Sequence, residues 1–161
     1  MKTLLIPTDL DVQSLNSIPS LVKQFNPEKL NIILVHMMKI TDSITDLLML
    51  PRRSSEFQRV SQNFKAAFNK LKNQYANNIN TMRIEFFYGN TVAVLSNFLE
   101  ANEVDTIILL KEYDYKLNNE YSIDPTVLVK RCEKPKMFAD FNPIIKPEAL
   151  KKEEHFLEQR F

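Results

Sequence analysis

The chain has 161 residues, a length that fits one domain able to bury a continuous core without disulfides or a structural metal. With 44% hydrophobic residues, and 21 basic against 20 acidic side chains, it carries no large single-sign field, which argues against nucleic acid as a partner. A single cysteine, Cys132, excludes an intrachain disulfide and points to a reducing, cytoplasmic setting; His36 and His155 stand too far apart for a local zinc set, so no metal is expected.

The first residues, Met1-Lys2-Thr3-Leu4-Leu5-Ile6, form an apolar run that Pro7-Thr8-Asp9 ends too early for a signal peptide, so it reads as a first strand. No stretch approaches the ~20 apolar residues of a transmembrane helix, and no membrane is expected as a partner. Thr3 to Ile6, Asn31 to His36, Met82 to Phe87 and Thr106 to Leu110 are short runs rich in Ile, Leu, Val and Phe, the composition of strands buried on both faces. Lys136 to Phe138 forms a short fifth.

Helical periods fill the intervals. Leu15, Ile18, Leu21, Val22 and Phe25 make a stripe in which Pro19 must lie near the helix start or kink it. Phe57, Val60, Phe64, Ala67, Phe68, Leu71 and Tyr75 predict one long helix. A third follows Gly89, capped by Asn90 or Thr91, with Val92, Leu95, Phe98 and Leu99 facing inward. Asp124-Pro125 reads as a cap and first helical residue of a fourth helix carrying Leu128, Val129 and Cys132 at core spacing. The segment from Pro147 to Arg160 has helix-forming composition with a thin apolar stripe. Loops are expected from Met37 to Pro51 and from Lys111 to Ser122. The expected fold is a three-layer α/β domain over residues 1–140, an open, mainly parallel five-stranded sheet with helices on both faces, followed by a helical extension over 141–161. Ligands of such sheets lie beyond the carboxyl ends of the strands, which directs attention to Pro7-Thr8-Asp9, His36-Met37, Tyr88-Gly89-Asn90 and Lys111-Glu112.

Several marks, in their order, resemble the universal stress protein family from Met1 to about Ala139. They are Leu5-Ile6-Pro7-Thr8-Asp9, Ser14-Leu15-Asn16-Ser17, Leu34-Val35-His36, Phe87-Tyr88-Gly89-Asn90, Val104 to Leu109, and the proline-led Lys134-Pro135-Lys136-Met137-Phe138. The resemblance implies a Rossmann-like sheet of the adenine nucleotide alpha hydrolase-like kind, paired as a homodimer through the last strand, Lys136 to Phe138. In one branch of the family it also implies an ATP site, with Pro7, Thr8, Asp9 and Val35 at the matching positions. That branch places spaced glycines and a Ser or Thr at the phosphates. Gly89 is the only glycine in this chain, and the matching segment from Leu109 to Asp124 has none. Without glycine, backbone N–H groups cannot turn together toward a phosphate, and Glu112, Asp114, Glu120 and Asp124 add negative charge that Lys111 and Lys116 offset only in part. The expectation is a binding or regulatory module with no catalytic activity and no ATP cofactor. Binding of a smaller nucleotide or nucleoside, AMP for example, at Asp9 and the backbone near Val35 is the alternative.

A third reading takes Asp9 and Asp11 as nucleophile and acid/base of a magnesium-dependent phosphatase resembling the haloacid dehalogenase kind. It competes with a plainer one, Asp9 in a strand-end turn and Asp11 capping the first helix. His36 reads as a buried histidine satisfied by backbone groups, and Cys132 as packing. Arg52-Arg53 read as solvated, and Met37, Met38 and Met49 as gap fillers beside a loop.

Overall fold

A computed structural model describes residues 1–39, 60–117 and 122–139. The order is β1 (Lys2–Pro7), a 3-10 turn (Val12–Leu15), α1 (Ile18–Phe25), β2 (Leu30–Met38), α2 (Gln62–Gln74), β3 (Ile79–Tyr88), α3 (Val92–Ala101), β4 (Thr106–Leu110), α4 (Thr126–Arg131) and β5 (Lys136–Ala139). All strand pairs are parallel, in the order β3-β2-β1-β4-β5.

The alternation of side chains along each strand divides the core into two layers. Leu4 and Ile6 of β1, with Leu30, Ile32 and Leu34 of β2, meet Ile18, Leu21, Phe64 and Leu71 of α1 and α2. Leu5, Ile33, Val35 and Met37 point the other way, onto Leu95, Leu99, Leu128 and Val129 of α3 and α4. Each fully buried side chain of this kind contributes roughly 1.5–3 kcal/mol, so both faces of the sheet are strongly held.

Pro19 sits in the first turn of α1, where its missing N–H costs nothing, and Leu15 belongs to the separate 3-10 turn before it. The long helix expected from Phe57 is shorter: Ser61 Oγ accepts from Phe64 N at 3.1 Å and starts the helix after Val60, which is buried ahead of it. Phe57 lies outside the described residues. Thr91 is the cap of α3, accepting from Val94 N at 3.3 Å. Asp124 Oδ1 accepts from Thr126 N at 2.8 Å, as an N-cap does, although regular α geometry begins one residue after Pro125. β2 runs two residues further than expected, so Met37 and Met38 are buried strand residues rather than the start of a loop. Met49, Arg52-Arg53, Glu120, His155 and the extension over 141–161 lie outside the described residues.

A chain with one glycine must place other residues where the backbone turns left-handed. Leu10, Glu103 and Glu112 have φ of 65°, 53° and 57°. Glu103 closes α3 as a Schellman motif, with Val104 N bonding Leu99 O at 3.0 Å and Glu103 N bonding Glu100 O at 3.1 Å. Gly89, at φ 157°, makes the turn from β3 toward α3.

Candidate functional site

β1 and β4 are neighbours, but the chain leaving β1 enters α1 on one face of the sheet and the chain leaving β4 enters α4 on the other. The two connections diverge at the carboxyl ends of these strands, the place where open α/β sheets hold ligands. Asp9 stands there.

Pro7 is in register with Val35, and Thr8 N donates to Val35 O at 2.8 Å, which prolongs the sheet by one bond and directs Asp9 into the crevice. The turn beyond is tied internally. Ser14 Oγ donates to Asp11 O at 2.7 Å, so at 2.6 Å it accepts the Thr8 hydroxyl proton, and Thr8 Oγ1 accepts Leu10 N at 3.0 Å. Asp11 Oδ1 accepts Gln13 N at 3.0 Å, as the cap of the 3-10 turn. This is the plainer role expected of Asp11.

Asp9 is only 2% exposed, and its carboxylate is held by its own chain. The Tyr113 hydroxyl reaches both carboxylate oxygens at 2.8 Å, Lys116 N donates to Oδ2 at 2.9 Å, and Asp11 N donates to Oδ1 at 3.1 Å. Lys116 Nζ pairs with Asp11 Oδ2 at 2.8 Å. Burial raises the Asp11 carboxyl, but the Lys116 hydrogen bond, the Gln13 amide and the Lys116 charge outweigh it and leave the group below the usual carboxylate range. The hydrogen bond to Asp11 raises Lys116 in turn. Burial, and then the charge and hydrogen bond of Asp9, push the Tyr113 phenol far above its usual value, while burial lifts Tyr115 to about 12. The two rings meet edge to face, centroids 5.0 Å apart.

The next stretch of the same connection is pinned on β2. Ser122 bridges antiparallel to Met38, and Ile123 N donates to Met37 O at 3.0 Å. His36 Nδ1 lies 2.9 Å from the Thr8 carbonyl, which can only accept, so in the neutral ring Nδ1 carries the proton and Nε2 accepts from Ser122 Oγ at 2.9 Å. Hydroxyl, imidazole and carbonyl thus have the connectivity of a nucleophile, a base and an orienting group. With Ser122 and His36 each 3% exposed, the chain of bonds is sealed and serves as a staple between β1, β2 and the entry to α4. His36 matches the plain expectation, with a serine added to the backbone partner.

These contacts decide which chemistry the residues fit. A phosphatase nucleophile needs a carboxylate oxygen open to phosphorus and to magnesium, whereas both Asp9 oxygens accept N–H and O–H donors and Asp11 is paired with a lysine. A triphosphate needs converging backbone amides, whereas four described amides of the β4–α4 connection are bonded within the protein: Lys111 N to Ala139 O at 3.0 Å, Lys116 N to Asp9, Ile123 N to Met37 O and Thr126 N to Asp124. Among the described residues no cluster of His, Cys, Asp and Glu could hold a metal ion, and no helix is long and apolar enough to cross a membrane.

Of the residues singled out from sequence, Pro7, Thr8, Asp9 and Val35 do assemble at one strand end, joined by His36. Tyr113 and Ser122 were missed as site residues, and Lys116 was read only as a charge. The pairing of Tyr113 with Asp9 spans 104 positions, and no local pattern announces it.

The fold is a doubly wound, all-parallel α/β sheet whose first and fourth strands flank the crevice. It is the fold of the universal stress proteins. The universal stress protein UspA from Lactobacillus plantarum shares it with a TM-score of 0.53 at 14% identity, covering 86% of this chain and 97% of that one. The hypothetical protein PH0823 is similar with a TM-score of 0.52 at 18% identity, over 89% and 99% of the two chains. For the hypothetical protein MJ0577 the values are 0.52 and 15%, over 88% and 96%. No family model matches the sequence, and no curated protein matches it.

Proposed function

We propose that this chain is a universal-stress-type binding or regulatory module of the cytoplasm, acting in the stress response as a homodimer, without catalysis and without loading a triphosphate. The observation that carries this reading is the Asp9 carboxylate, which is held by Tyr113 and Lys116 at the place where a ligand of this fold class would lie. The glycine-free segment between Leu109 and Asp124 supports it, since its Lys111, Lys116 and Ile123 amides are committed within the protein.

Homodimerisation is supported by β5, a four-residue strand at the sheet edge whose Phe138 is 62% exposed. An exposed apolar side chain on the edge strand of the described sheet is a template for pairing with a second copy. Native mass spectrometry of freshly purified protein tests both parts: the expected species is a dimer of nucleotide-free chains, and Phe138→Asp shifts it to monomer. Calorimetry with ATP is the complementary measurement. Micromolar, stoichiometric binding there would overturn the reading.

A further inference from the structure

The Lys111–Leu117 segment reaches its position by a left-handed turn at Glu112, φ 57°, and then crosses above the carboxyl end of β1. It contains no helix or strand beyond the turn, and Lys111, Glu112, Asp114, Lys116 and Leu117 are exposed, Leu117 at 59%. None of its residues belongs to either core layer, so both layers are complete without it. Lys111 N anchors its start on Ala139 O at 3.0 Å, and beyond that anchor the segment is bonded to the stretch after β1 by the Tyr113 hydroxyl and Lys116 N to Asp9 and by Lys116 Nζ to Asp11. Segments with few buried apolar contacts open locally at far lower free energy than the core.

We propose that Lys111–Leu117 is a detachable strap in which Tyr113 acts as a built-in ligand of Asp9, and that the crevice takes a neutral aromatic hydroxyl compound in trans when the strap lifts. The chemical class follows from what the strap supplies. A buried carboxylate requires a donor, which the phenol provides to both oxygens at 2.8 Å. The donor is carried on a flat ring that meets Tyr115 edge to face. An anion is disfavoured because Asp9 and Asp11 lie together at the crevice. This device rests on the reading of a crevice closed from within; ATP binding by the wild-type protein defeats that reading, whereas the strap stands or falls on the variants below.

The test is complementation of Tyr113→Ala with p-cresol, the tyrosine side chain as a free molecule. Titration followed by thermal denaturation and ligand-observed NMR should show saturable binding to Tyr113→Ala and weaker binding to wild type, reduced by the small fraction of molecules in which the strap is lifted. A folded Tyr113→Ala that ignores p-cresol overturns the proposal. If that variant fails to fold, amide exchange in Tyr113→Phe decides: loss of the phenol's bond to a charged group speeds exchange of Lys116 N–H roughly tenfold or more, with core amides unchanged. Exchange at Lys116 equal to wild type overturns the strap.

Discussion

Replacing Tyr113 by phenylalanine removes one oxygen atom and leaves the Asp9 carboxylate held by the backbone amides of Lys116 and Asp11. A hydrogen bond to a charged group contributes about 1.5–3 kcal/mol, and the partial exposure of Tyr113 lowers the expected loss to about 1–2 kcal/mol at neutral pH. For a domain of this size that is a fall in Tm of roughly 2–8 °C, readable by calorimetry or urea denaturation. The pH dependence is a sharper discriminator. The Tyr113 phenol, whose ordinary value is 10.0, is raised in the folded protein by burial and by Asp9, so the folded state keeps a proton that the unfolded state gives up. Its stabilisation is therefore complete below the unfolded value of 10.0 and is lost as pH rises beyond it. Wild type and Tyr113→Phe should differ most at neutral pH and converge above about pH 10. A difference below about 0.5 kcal/mol at neutral pH, within the range of ordinary surface substitutions, would refute the account of Asp9 given above.

Other substitutions probe the turns and the staple. Glu103→Gly should stabilise by about 0.5–1 kcal/mol in urea melts, because the C′ position of α3 at φ 53° suits glycine better than a residue with a Cβ. Gly89→Ala should destabilise by roughly 1–3 kcal/mol, since φ is 157° and the added Cβ would stand 3.1 Å from Val94 Cγ1 and 3.2 Å from Phe87 Cζ. Ser122→Ala takes the donor from buried His36 Nε2 and should cost about 1–3 kcal/mol, while exposing the amide of Ile123 to faster exchange. A neutral result for Ser122→Ala would remove His36 as the staple.

The strands, the helices and their order are legible in the sequence because their signals are local. Alternating or continuous apolar runs mark β1 to β5, and Thr91 and Asp124 announce their helices by the bonds that short polar side chains make within two or three residues. Boundaries were less legible. Val60 continues the stripe of α2 without being helical, because Ser61 satisfies a helix-end amide first, and Met37 and Met38 remain strand because β3 offers them Phe87 and Tyr88 as partners.

The sequence by itself determined the class of fold, the strand end that carries Asp9, and the absence of glycine from the segment facing it. Only the tertiary structure decided what that segment does instead. Period and propensity report a residue's neighbours along the chain, whereas the meeting of Tyr113 with Asp9, and of His36 with Ser122 across 86 positions, depends on β4 lying beside β1 and on the crossover above them. The sheet brings those groups within bonding distance, and a buried carboxylate then takes the nearest donors, which are the chain's own.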